Sequence, residues 1–167
     1  RKGQEWSRPR SIVSGKYPLC GPIAVAAKDR LILIWTAFAR GASCIRAMAR
    51  EGSRWGDPFD IAGTGENYRP SAAVDSGGNL WVAWETYNQH RYDIRLRKIS
   101  NGRPGKIQKI GSTSPGDRMF ACLCLDARDT PWTAWVSSRD VVNRFGAFDR
   151  KEELCAAYLE DGQWREV

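Results

Sequence analysis

Trp35, Trp84 and Trp135 stand 49 and 51 residues apart, and each closes a short apolar run that follows an earlier apolar run and a turn. The clearest copy reads Pro70-Ser-Ala-Ala-Val-Asp75-Ser-Gly-Gly-Asn-Leu-Trp81-Val-Ala-Trp84. A period of this length with strand patterning inside it marks a repeat. A repeat that cannot bury its own apolar face has to stack on its neighbours.

In the middle copy Ser71 to Val74 reads as an inner strand, and Asp75 to Asn79 as a turn. Asp and Asn can hydrogen-bond their own backbone there, and Gly reaches positive φ without a Cβ clash. Leu80 to Glu85 is the second strand, with Trp81 and Ala83 on one face and Val82 and Trp84 on the other. A loop at Thr86 to Arg91 leads to a third strand, Tyr92 to Lys98, whose alternation marks it as half exposed. Lys106 to Ile110 supplies the fourth.

The first copy has strands at Pro22 to Ala26, Leu31 to Trp35, Cys44 to Ala49 and Pro58 to Ile61. The last has them at Ala121 to Leu125, Trp132 to Val136, Leu154 to Leu159 and Trp164 to Val167. Trp6 to Val13 resembles Trp55 to Ile61 one period earlier, so it reads as the last strand of a preceding unit. Asp149 to Tyr158 is the one window that could accommodate a helix.

Four-stranded units at this spacing are β-propeller blades. The expectation is therefore all-β: three four-stranded antiparallel blades with an N-terminal orphan strand. The boundaries fall at residues 1–15 for the orphan strand, then 16–63, 64–113 and 114–167, with a loop insertion at about 137–152 in the last blade. Closed propellers use roughly four to eight blades. The sequence thus describes a partial propeller, completed either by the remainder of a longer chain or by homo-oligomerisation.

Bulk composition narrows the partners. A net charge of +7 is spread along the chain with acids between the basic residues, which reads as solvated strands and hairpins, and nucleic acid is not the expected partner. No run approaches 18 apolar residues, so no membrane span is expected. Arg1 to Glu5 lacks the apolar segment of a signal peptide, but the first residue is not Met, which leaves an upstream region open. Five cysteines cannot all pair within one chain; they read as buried free thiols or as one disulfide between strands. Cys122 and Cys124 share a strand face and cannot bridge each other. With a single histidine and one short Cys spacing, no metal and no cofactor is expected.

The segment Pro70 to Trp84, followed by Tyr92-Asp93-Ile94, resembles the blades of sialidase-like and related bacterial propeller proteins, and Trp6-Ser-Arg-Pro9 resembles the start of their fourth strand. The resemblance spans the chain and implies a propeller, with a secreted or periplasmic location. Sialidases also share a Ser-x-Asp-x-Gly-x-x-Trp box in the hairpin between third and fourth strands. Here those hairpins read Glu51-Gly-Ser-Arg-Trp55, Asn101-Gly-Arg-Pro104 and Asp161-Gly-Gln-Trp164. No catalytic residue is carried across. The expected function is a non-catalytic binding or scaffolding module for a glycan or protein. The alternative is a fragment of a sialidase-like glycoside hydrolase.

In a propeller the loops from fourth to first strand and from second to third strand surround one mouth of the channel. They place Tyr68, Arg69, Glu85, Tyr87, His90 and Arg91 there from the middle blade, and Arg139, Asp140 and Arg144 from the insertion. Cations suit a carboxylate or phosphate, amides and hydroxyls suit sugar oxygens, and aromatic faces suit stacking. Arg69 and Glu85 could equally pair with each other. For hydrolysis, Glu85, Asp140 and Asp149 are the carboxylates to consider, since two are needed at a set separation.

Overall fold

The structure is a computed structural model that describes residues 6–111 and 116–167. It has three antiparallel sheets in chain order. Sheet 1 contains β1 (Leu19–Ala27), β2 (Arg30–Ala39) and β3 (Ala42–Glu51), with β4 (Arg54–Trp55) and β5 (Phe59–Gly65) both paired to β3. Sheet 2 contains β6 (Asn67–Val74), β7 (Leu80–Asn88) and β8 (Arg91–Ser100), with β9 (Arg103–Pro104) and β10 (Gln108–Ile110) both paired to β8. Sheet 3 runs β11 (Asp117–Leu125), β12 (Pro131–Val142), β13 (Phe148–Glu160) and β14 (Gln163–Glu166). The expected boundary at 113/114 lies outside the described residues, as do Arg1 to Glu5.

Period-two alternation along β7 explains how the sheets stack. Leu80, Val82 and Trp84 join Ile32, Ile34, Ile45 and Ile61 of sheet 1 in one buried cluster. Trp81 and Ala83, pointing the other way, join Ile94, Leu96, Leu123, Trp135 and Ala157 in a second cluster, between sheets 2 and 3. Each fully buried aliphatic side chain contributes about 1.5–3 kcal/mol, so the stacking, rather than any single sheet, carries the stability. The expectation that Tyr92 to Lys98 is half exposed gives way here. Asp93 is buried, Ile99 enters the first cluster, and Arg97 Nη1 donates to the Ile61 carbonyl of sheet 1 at 2.6 Å. A middle sheet has no solvent face, so even its charged positions are enlisted between layers.

Four further expectations are corrected. Trp6 to Val13 is not a strand: it forms no ladder, and Trp6 is 93% exposed. A strand requires a ladder partner, and no described strand pairs with this segment. The anticipated loop at about 137–152 is instead the extension of β12 and β13 into a long hairpin, paired from Trp132↔Tyr158 to Val142↔Phe148 and turning at Asn143 to Ala147. The possible helix at Asp149 to Tyr158 lies within β13. All five cysteines are free, as one reading had it, but Cys20, Cys122 and Cys124 are exposed rather than buried. Cys122 and Cys124 alternate with Leu123, which faces sheet 2, and so point to the uncovered side of sheet 3.

Candidate functional site

Each innermost strand carries a register shift near its start, between Cys20 and Ile23, Tyr68 and Ser71, and Met119 and Cys122. At each, one residue adopts positive φ: Gly21 (58°), Arg69 (46°) and Phe120 (59°). Such bulges re-aim side chains and end regular pairing. Glycine accepts this backbone freely, whereas Arg and Phe adopt it at a cost. The bulges lie at the same end of the sheets as the hairpins joining second to third strands.

Glu85 fastens two of them together. Its carboxylate is fully buried; Oε2 accepts from Arg69 Nη1 at 2.6 Å and Oε1 accepts the Phe120 amide of sheet 3 at 2.5 Å. Arg69 and Glu85 therefore do pair. The Arg69 guanidinium also lies 5.0 Å from the Phe120 ring centre, a cation–π contact. Around them stands an aromatic group: Tyr68 is 6.1 Å from Phe38 and 6.5 Å from Tyr92, and Tyr87 is 4.9 Å from Tyr92. Burial pushes the Tyr92 phenol above its ordinary pKa, with the neighbouring Tyr68 adding to the effect.

Beside this group lies an open cleft of about 360 Å³ between sheets 2 and 3. Its lining brings together four of the residues anticipated from sequence, His90, Arg91, Arg139 and Asp140, with Asp117, Ser138 and Arg150. The loop expected at Thr86 to Arg91 is only Gln89-His90, both at positive φ, the backbone of a tight type I′ hairpin. That turn delivers His90 and Arg91 to the cleft edge. Gly116 sits where an added Cβ would collide with the Ser138 carbonyl, which lets the chain enter β11 close against β12.

The cleft's electrostatics are uneven. Asp117 is committed: Oδ1 accepts the Tyr92 amide at 2.9 Å, and Oδ2 lies 4.0 Å from Arg150 Nη2. Arg150 Nε donates to Ser138 Oγ at 2.5 Å. Arg139 Nη2 reaches Glu153 at 3.8 Å, while its Nε has no hydrogen-bond partner among the described residues. Arg91 and Asp140 make no ion pair among the described residues. The arrangement holds free hydrogen-bonding capacity of both signs, with a cationic surplus.

The remaining anticipated residues lie elsewhere. Arg144 is carried to the hairpin tip, where it covers Phe145 at 4.7 Å and does not line the cleft. Asp149 accepts from Asn143 Nδ2 at 3.0 Å in the same hairpin. Sequence reasoning missed Phe120 and Asp117, which both lie ahead of the inner strand expected at Ala121. Arg150, a residue of the insertion expected on this face, reaches the cleft from a paired strand opposite Asp140 rather than from a loop. Buried Asp93, a short way in, is held below the usual carboxylate range: burial acts against it, but Lys109, Arg118 and Arg95 together prevail.

No family model matches the sequence, and no curated protein matches it. Solved structures do. A protein of unknown function from Dyadobacter fermentans matches with a TM-score of 0.65 at 10% identity, over 92% of this chain and 55% of its own. An alpha-L-arabinofuranosidase from Lactobacillus brevis matches at 0.57 and 10% identity, over 86% and 54%. The Bacteroides ovatus protein Xyloglucan PUL GH43B matches at 0.55 and 12% identity, over 90% and 31%. The chain thus spans about half the length of the first two and less of the third. At such low identity the likeness is one of fold, and with the stacked antiparallel sheets it makes this chain a β-propeller-like all-β protein.

Proposed function

We propose that this chain is the recognition part of a propeller, holding a glycan that bears an anionic group in the cleft between sheets 2 and 3. The observation that carries this reading is that Arg91 and Asp140, without an ion pair among the described residues, share one cleft with His90, Arg139 and Arg150. Guanidinium groups suit a carboxylate, and Asp140 suits sugar hydroxyls. A glucuronic-acid-bearing xylo-oligosaccharide titrated by calorimetry tests it. Arg91→Ala or Asp140→Ala should each weaken binding about tenfold, the loss of one charge-assisted hydrogen bond. Unchanged affinity in both would overturn the reading.

A second reading is that the chain is part of a glycoside-acting enzyme, favoured by two carboxylates, Asp117 and Asp140, in one cleft and by the arabinofuranosidase neighbour. Against it, Asp117 is engaged by Tyr92 and Arg150, and Glu85 is sealed by Arg69 and Phe120. Turnover of a nitrophenyl arabinofuranoside that disappears in Asp140→Asn would establish the enzyme instead.

Three sheets are fewer than a closed propeller uses. The outer face of sheet 3, with Leu154 at 83% exposure on β13 and Cys122 and Cys124 exposed on β11, is the seat we assign to a further sheet, from the rest of a longer chain or from a second copy. The isolated chain should therefore self-associate in light scattering. A monodisperse monomer that melts cooperatively would refute this.

A further inference from the structure

The bulge of β11 presents an aromatic ring where glycine would cost least. Phe120 is 56% exposed, its backbone is at φ 59°, and the same position in sheet 1 is Gly21. Bulky residues in this conformation are uncommon, and they persist only where the surroundings hold them. Here the holder is identified: fully buried Glu85 takes the Phe120 amide on one oxygen and Arg69 on the other. Arg69, itself at positive φ and with its side chain 55% exposed, lies against the ring. Two strained residues are thus locked together, with the Arg69 guanidinium over one face of the ring of Phe120, a residue that is itself 56% exposed.

We infer that Phe120 and Arg69 form a stacking platform for the apolar face of a neutral sugar residue. The negative face of an aromatic ring attracts the polarised C–H groups of a sugar ring, and the Arg69 N–H groups not used by Glu85 can donate to its hydroxyls. Because Glu85 neutralises Arg69, the platform has no net charge, unlike the cleft. The tyrosines 68, 87 and 92 adjoin it, and Tyr92 is tied by its amide to Asp117 of the cleft. One oligosaccharide could therefore place its acidic residue in the cleft and a neutral residue on the platform. The inference deepens the glycan reading and rests on it.

The test separates the two. Wild-type chain, Phe120→Gly, Phe120→Trp and Arg91→Ala are compared by saturation-transfer NMR and calorimetry. The probes are neutral oligosaccharides of xylose, arabinose, glucose and galactose, and the glucuronic-acid-bearing xylo-oligosaccharide. Phe120→Gly restores the residue sheet 1 already uses and keeps the amide that Glu85 binds, so it should fold. It is expected to lose about tenfold or more in affinity for neutral probes, while Phe120→Trp retains binding and Arg91→Ala leaves neutral probes unaffected. Neutral binding unchanged in Phe120→Gly overturns the platform, and acidic binding lost only in Arg91→Ala then leaves the cleft reading standing. A wild-type chain that binds no neutral probe overturns the platform as well, and one that binds no probe of either kind overturns both.

Discussion

The two ends of the sheet stack solve the same problem in opposite ways. At one end the turns between first and second strands in sheets 2 and 3 are closed by their own aspartates. Asp75 accepts from the amide of Asn79 at 2.8 Å, from its side chain at 2.9 Å and from Trp81 Nε1 at 3.1 Å, with Lys98 3.3 Å away. Asp126 accepts from the amides of Arg128 and Thr130. Asp129 then ties sheet 3 to sheet 2 by accepting the Ser76 amide and hydroxyl. Polar groups there are spent on one another. At the other end Arg69 and Phe120 hold costly backbone conformations, aromatic rings stand part exposed, and Arg91 and Asp140 have no ion partner among the described residues. The turn end satisfies its polar groups locally, whereas the bulge end depends on one buried carboxylate, Glu85, and keeps capacity for a ligand.

The comparison can be broken by mutation. Glu85→Ala should have the largest effect, destabilising by about 3 kcal/mol, because it strands Arg69 and the Phe120 amide at a buried junction. If denaturant melts of that variant match the wild type, the bulge end is not anchored as described. Asp75→Ala should cost about 2 kcal/mol, since Asn79 and Trp81 lose their shared acceptor.

Asp75 also gives a pH signature. Burial works to raise its pKa, but hydrogen bonds from Asn79, Trp81 and Lys98 win and hold it down to about 2. An unfolded Asp titrates near about 3.9. The depressed folded value means its stabilisation is fully present above that pH and is lost as pH falls towards 2. Acid titration of stability should therefore be flatter over that window in Asp75→Asn. An identical acid limb would show that Asp75 does not contribute there.

Phe120→Gly sharpens the contrast through its sign. Relief of the positive-φ strain should raise stability by about 1 kcal/mol, although a side chain is removed. A lowered melting temperature would mean that the ring is held for packing rather than presented. Asp129→Ala should have the smallest effect, about 0.5 kcal/mol, because its bonds to Ser76 lie in solvent. A larger loss would make the turn end more cooperative than its exposure implies.

Much of this fold was legible from residues alone, because alternation reports local geometry. Trp81 and Val82 had to face opposite ways, and they enter different clusters. Aspartate-led turns are likewise local chemistry, so Asp75 could be placed on a turn. What escaped was set by partners distant in sequence. Trp6 to Val13 carries a strand's pattern without a ladder to join. The β12–β13 hairpin draws its pairing from residues up to 26 positions apart, Trp132 to Tyr158, so the segment between looked like loop. Phe120 escaped because nothing in Met119-Phe120-Ala121 signals a bulge, whereas Gly21-Pro22 does. Its conformation is fixed by Glu85, 35 residues earlier in another sheet. The same limit applies to the three repeat tryptophans. Trp84 Nε1 donates to Asn67 at 2.9 Å, while Trp35 Nε1 is buried without a partner among the described residues, a difference the matching sequence positions conceal.

The uncovered side of sheet 3 carries its own gauge. Cys122 and Cys124 project from it as free, exposed thiols, two residues apart on the innermost strand. Whatever comes to lie against that face would shield both from a bulky maleimide. Labelling stoichiometry thus reads out whether this flank of the arc stands open or has been closed.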